Sequence, residues 1–266
     1  MAPLLGPHGA ACFQAALIAD TIRKLEAISK HAACWLFYTG RIGPKKMLQN
    51  HPRCHPEPRL VGAKDPWVCL ETEMRGSFAS LRMTCTKGFS AFCKQRGRGR
   101  WKLVRQRGGD LGERLARAFR RLLSRHPRAI VIGTDSPLLP PRKLREALSE
   151  LRACDAVLGP CPDGGFYLIG LRCLPPGLFR DVRWGSRFAL RDMLRNMLRS
   201  GLACSVLEPV PDVDRPQDFR ALAAQMGKRR DLRRLSPALW GFLKARSRVG
   251  VRRPSARSGR QESIRT

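Results

Sequence analysis

Aspartates recur in three short loops, each placed just after an apolar run: Asp135 in Gly133–Pro137, Asp163 in Pro162–Phe166 and Asp214 in Pro211–Pro216. Carboxylates that meet from separate loops suit a hard divalent cation, which takes oxygen ligands and keeps waters free for phosphate. Such an ion offsets the charge that develops on a nucleotide leaving group, the main task in transfer from nucleotide donors. Gly164-Gly165 presents backbone without a Cβ, so another group can come close to it. Each loop also has a plainer reading. Asp135 before Ser136-Pro137 closes an Asx-turn, Asp163-Gly164 is a common turn pair, and Asp214 caps the helix that follows.

These loops depend on the elements beneath them. Ala129–Ile132 (AIVI) is apolar throughout, which predicts a strand buried on both faces of a parallel sheet and ended by Gly133-Thr134. Ligands of open α/β sheets gather beyond the carboxyl ends of such strands, which is where Asp135 falls. Apolar spacing predicts a helix over 8–30, and Ala33–Tyr38 reads as a strand. Trp101–Gln106 alternates like a half-buried strand. Asp110 with Glu113 then opens a helix carrying Leu111, Leu115, Phe119 and Leu122, in the manner of a capping box. Pro140-Pro141 begins a further helix with Leu144, Leu148 and Leu151 on one face. Strands are predicted at Asp155–Gly159, Phe166–Leu171 and Ala203–Val210, and helices from Ser186 and over Pro216–Met226.

The formal charge of +30 falls mostly on residues 41–109 and 228–266, away from the best-patterned part of the chain. Basic runs of this kind are solvated segments more often than nucleic-acid contacts. Residues 49–94 hold scattered prolines and no period of 2 or 3.6, and so read as a disordered insertion. Its part His55–Thr84 resembles peptides translated from an interspersed bacterial DNA repeat. The chain therefore divides into 1–48 and 95–227, one α/β domain in two pieces, the insertion 49–94, and a basic tail over 228–266 expected to be largely disordered. In that tail only Leu239–Leu243 is apolar enough to dock, as one helical turn. The ten cysteines include no C-x-x-C pair, which points to reduced thiols and a cytoplasmic location. No apolar run approaches the ~20 residues of a membrane span.

Four motifs carry a family resemblance: Gly108-Gly-Asp-Leu-Gly-Glu-Arg114, Gly133-Thr-Asp-Ser-Pro137, Asp163-Gly-Gly-Phe-Tyr-Leu-Ile-Gly-Leu171 and Asp212-Val-Asp-Arg-Pro216. In this order and spacing the chain resembles the glycosyltransferase-A-like (GT-A) family of radical-SAM/selenodomain-associated transferases, also described as arsenosugar-biosynthesis glycosyltransferases. The resemblance covers roughly residues 4–48 and 95–225. It implies a three-layer α/β fold with a mostly parallel sheet, similar to the nucleotide-diphospho-sugar transferases. It implies, too, a metal-dependent transfer of sugar from a nucleotide-sugar donor to a small acceptor. Asp135 and Asp214 would hold magnesium or manganese, and Asp163 would be catalytic. Gly109, Asp110, Arg114 and Thr134 would bind the nucleotide, and Gly164 and Gly165 would line the acceptor side.

The chain departs from the pattern in three places. The family's opening strand and its basic phosphate loop have no counterpart before Pro3-Leu-Leu-Gly-Pro-His-Gly9, Trp184-Gly-Ser-Arg187 replaces a Trp-Ser-Thr-Pro-like segment, and Phe166 stands where tyrosine is common. With that strand and loop missing, the resemblance also fits a chain without turnover. Three other readings compete: nucleotidyl transfer with release of pyrophosphate, a basic nucleic-acid-associated protein, and a reading frame without function.

Overall fold

The structure, a computed structural model, describes residues 2–28, 34–38, 67–71, 101–106 and 109–249. Helix α1 spans Ala2–Glu26 and is broken at Gly6, whose φ of 66° lies outside the helical region. Strands β1 (Cys34–Tyr38), β2 (Trp67–Glu71) and β3 (Trp101–Arg105) follow. Helix α2 (Leu111–Leu123) leads to β4 (Ala129–Gly133), and α3 (Pro141–Ala153) to β5 (Ala156–Pro160) and β6 (Phe166–Leu171). The described chain ends with α4 (Ala189–Arg199), β7 (Cys204–Val206), α5 (Pro216–Lys228), α6 (Arg230–Leu235) and α7 (Pro237–Val249).

The seven strands form one sheet in the order β3-β1-β2-β4-β6-β5-β7. Every pairing is parallel except the two made by β6, which runs antiparallel to both β4 and β5. This reversal places the β5–β6 turn, with Asp163, at the same sheet edge as the carboxyl end of β4, with Asp135.

Alternation along β4 separates the two cores. Ala129 and Val131 face α2 and α4, among Leu115, Phe119, Met193 and Met197. Ile130 and Ile132 face α1 and α3, among Ile18, Ile22, Leu144 and Leu151. Helices on both faces of a central sheet make the expected three layers. Two glycines let the sheet and its turns close up. A Cβ on Gly159 would lie 2.4 Å from the Tyr167 ring, so only glycine leaves that ring its place. A Cβ on Gly164, which sits at φ 89°, would lie 2.1 Å from the carbonyl oxygen of Arg187.

Three expectations need correction. Trp67–Glu71, inside the segment read as an insertion, is a strand between β1 and β4. The remainder of 49–94 lies outside the described residues. The tail is not structureless as far as residue 249: Leu232, Leu239 and Leu243 are buried with Phe13, Leu17 and Phe219 in a third apolar cluster. Its arginines misled because the leucines between them are few, yet each buried leucine is worth about 2 kcal/mol. Residues 250–266 lie outside the described residues. Finally, the last strand is three residues long rather than eight, since it forms the sheet's exposed edge and Pro209 and Pro211 follow it.

Candidate functional site

The three acidic loops meet. Val213 donates its backbone N–H to the carbonyl of Asp135 at 2.9 Å, which ties the third loop to the first. Val210 donates likewise to Pro160 at 3.0 Å, which ties the third loop to the second. Between them Cys161, which just precedes the second loop, is hydrogen-bonded to Ser136 of the first and Asp212 of the third. Ligand atoms of Cys161, Asp163 and Asp212 all lie within 4.8 Å of one another. Cys161 is buried, Asp212 half-buried and Asp163 exposed, so the cluster runs from the protein interior out to solvent.

Electrostatics follow from this crowding. Burial pushes the Asp212 carboxyl up to about 6, helped by the charges of Asp163 and Asp214, while the Cys161 hydrogen bond works against the rise. Burial likewise pushes the Cys161 thiol up, and the charges of Asp212 and Asp163 add to it. Cys161 thus stays a thiol that orients Asp212. Carboxylates gathered this closely repel one another, and a divalent cation would relieve that repulsion. The oxygen donors fit magnesium or manganese, whereas a protonated thiol fits neither as a ligand.

Each loop is held from behind. Gln14 on α1 donates to Thr134 Oγ1 at 3.0 Å and to Asp135 Oδ1 at 3.3 Å. The Pro137 carbonyl accepts both the Lys24 ammonium, from α1, and the Ser236 hydroxyl at 2.6 Å, from the α6–α7 junction. Lys143 on α3 pairs with Glu208 at 2.9 Å and fixes the start of the third loop. At the Asp163 turn, Gly165 donates its N–H to Asp163 Oδ1 at 2.8 Å, the Asx geometry the turn pair suggested.

Sequence-predicted residues fall into groups. Asp135 and Asp214 do come from loops joined at Val213, but the ligand atoms that lie closest together belong to Cys161, Asp163 and Asp212. Asp214 does not cap α5; the cap residue is Arg215, whose N–H donates to Asp218 Oδ2 at 2.7 Å. Thr134 is buried, with its hydroxyl engaged by Gln14. Gly164 is packed against the Arg187 backbone, so the close approach its missing Cβ permits is internal to the chain. Gly165 lies beside Asp163.

Gly109, Asp110 and Arg114 sit at the start of α2, where Asp110 Oδ1 accepts the Glu113 N–H at 2.7 Å and Glu113 accepts that of Gly109 at 3.0 Å. Strand β3, which leads into this turn, is three strands from β4, about 14 Å by ordinary strand spacing. The first turn of α2 nevertheless reaches toward the site. A Cβ on Gly112 would meet the Trp184 ring at 2.8 Å, and that ring stacks edge-on against Phe166 beside the Asp163 turn. Sequence reasoning missed Gln14, Cys161 and the tail's Ser236. Asp212 and Ser136 carried a signal, since each lies within two residues of a predicted metal ligand in the same motif.

The protein family described as uncharacterized and conserved in bacteria (DUF2064) matches residues 71–186, from the end of β2 to just before α4. A provisionally assigned nucleotide-diphospho-sugar transferase from Desulfovibrio desulfuricans G20 has a similar structure. The two agree with a TM-score of 0.64 and 23% identity, over 94% of this chain and 88% of that one. The fold is nucleotide-diphospho-sugar-transferase-like. Looser likenesses exist to 4-diphosphocytidyl-2C-methyl-D-erythritol synthase from Anaerococcus prevotii DSM 20548 (9% identity, TM-score 0.44, 76% of this chain and 99% of that). Another is to Rv0371c from Mycobacterium tuberculosis H37Rv in complex with manganese (15% identity, TM-score 0.36, 71% of this chain and 97% of that). No protein of curated function matches the chain. Among the described residues, no helix is long and apolar enough to cross a membrane.

Proposed function

We propose that the chain is a metal-dependent transferase that moves a sugar from a nucleotide-activated donor to a small acceptor, in the cytoplasm. The observation that carries this reading is the meeting of the β4, β5–β6 and post-β7 loops, with Asp163 and Asp212 close enough to share an ion. It stands at the sheet edge where ligands of open α/β sheets bind.

In this reading Asp212 and Asp163 hold magnesium or manganese, with Asp135 and Asp214 on the flanking turns completing an acidic ring. The ion would offset charge on the departing nucleoside diphosphate. Cys161 donates to Asp212 and keeps its carboxylate aimed at the cluster. Asp163, at the exposed rim, is the carboxylate nearest an incoming acceptor. Gln14 keeps Thr134 and Asp135 in place beside the nucleotide, and the start of α2 (Gly109, Asp110 and Arg114) borders the nucleotide side.

Calorimetry with UDP-, GDP- and dTDP-sugars, each with and without manganese, tests the reading. Heat from one nucleotide class that depends on manganese supports it, and no heat from any of them with folded protein overturns it. Release of pyrophosphate from a nucleoside triphosphate would assign nucleotidyl transfer instead.

A further inference from the structure

Just past the acidic cluster the charge changes sign. The segment from Arg180 to Arg199 holds six arginines and two aspartates, and three of the arginines surround one ring. The guanidinium carbons of Arg183, Arg187 and Arg191 lie 4.1, 4.9 and 4.9 Å from the centre of Phe188. Arg183 is accounted for. It grips the buried Asp192 through two bonds of 2.8 and 2.7 Å and holds that carboxyl well below the usual range.

Arg187 and Arg191 are not. Both are exposed, and among the described residues neither has a carboxylate within ion-pair reach. Packing like charges on one ring is unfavourable unless something anionic joins them. Their backbone is anchored to the site: the Arg187 carbonyl packs on Gly164, and Leu190 donates its N–H to the Gly164 carbonyl at 3.0 Å. This seats the backbone that carries both arginines against the Asp163 turn. The flat, multidentate guanidinium suits an oxyanion, and a phosphate better than a carboxylate because of its second charge.

We propose that Arg187 and Arg191, seated on Phe188, form an oxyanion site that holds the phosphate or carboxylate of an anionic acceptor substrate. This rests on the transferase reading for the word acceptor, though not for the binding of the anion. An anionic acceptor would be drawn to the arginines while its reacting hydroxyl lies toward Asp163.

The test titrates sn-glycerol 3-phosphate, D-glycerate and glycerol into the full chain, alone and with manganese and the nucleotide-sugar that binds best. The proposal expects glycerol 3-phosphate to bind most tightly, glycerate more weakly, and glycerol not at all. The double variant Arg187→Ala/Arg191→Ala should lose at least tenfold in affinity for glycerol 3-phosphate, while Arg152→Ala on α3 stays as wild type. Both changes are at exposed positions, and an unchanged melting temperature verifies the fold. Equal affinity in the double variant overturns the site. Displacement of glycerol 3-phosphate by the nucleotide-sugar overturns its assignment to the acceptor. Anion binding that is lost in the double variant, in a chain that binds no nucleotide-sugar, upholds the oxyanion site and removes the transferase reading alone.

Discussion

Ser236 donates its hydroxyl to the carbonyl of Pro137 at 2.6 Å, 99 residues away, and so joins the basic tail to the loop that carries Asp135. The same carbonyl accepts the Lys24 ammonium, and Asp20 on α1 accepts the N–H groups of Ala238 and Leu239 at 3.0 and 2.9 Å. The tail is therefore a rear wall of the site. Ser236→Ala should lower stability by about 1 kcal/mol, the usual worth of one buried hydrogen bond. Deleting residues 229–266 should do far more, because Leu232, Leu239 and Leu243 leave Phe13 and Phe219 uncovered. Urea unfolding measures the first effect. Soluble, cooperatively folding protein after the deletion would contradict the second.

Gly164 stands where a side chain would be strained. Its φ of 89° and the Arg187 carbonyl 2.1 Å from a Cβ position leave no room for alanine. Gly164→Ala should cost about 2 kcal/mol or more from the backbone conformation and displacement of the Arg187 segment. Gly165→Ala, whose Cβ would meet Asp163 Oδ1 at 3.1 Å, should be milder in stability yet shift Asp163. Equal melting temperatures for the two variants would contradict this ordering.

Lys24 gives a pH dependence. Burial pulls its ammonium down to about 8, against the opposing pull of Asp20 and with a small added push from Arg23. Between pH 8 and its ordinary value near 10.5, the unfolded chain binds a proton that the folded chain does not, so this group's contribution to stability rises with pH. The stability of wild type relative to Lys24→Met should therefore increase from pH 7.5 to pH 10. Comparing the two chains cancels the titration of groups that do not interact with Lys24. A difference that stays flat or falls would show that Lys24 keeps its ordinary affinity for the proton in the folded chain.

Gln14→Leu should leave the fold intact, since the residue is flanked by the buried Phe13 and Leu17, while the nucleotide-side loop loses its tether. Turnover with the identified donor should fall about tenfold or more, in line with the sensitivity of catalysis to small misplacements. Unchanged turnover would reduce Gln14 to a packing role.

What the sequence revealed and what it hid follow the same physics. The central strand was legible because Ala129–Ile132 is apolar without a break, and its two buried faces leave no other arrangement. The Asp163 turn was legible because Asp-Gly is a turn pair wherever it stands. Trp67–Glu71 was hidden because five residues among prolines and charges show no period, and only the strands on either side make them a strand. Ser236 and Gln14 were hidden for a related reason. Each acts through a partner about a hundred residues away, which no local pattern can display. Of the acidic motif Asp212-Val-Asp214, spacing identified the motif, but only the packing of Val213 and the approach of Cys161 single out Asp212.

The central claim is that the three loops share a divalent cation at Asp212 and Asp163. Titration of manganese into the full chain at pH 7.5, followed by calorimetry, tests it most directly. The account predicts a single class of site in the wild type, weakened about tenfold or more, roughly 1.4 kcal/mol, in Asp212→Asn with the melting temperature preserved. An isotherm from Asp212→Asn that overlays the wild type would contradict it.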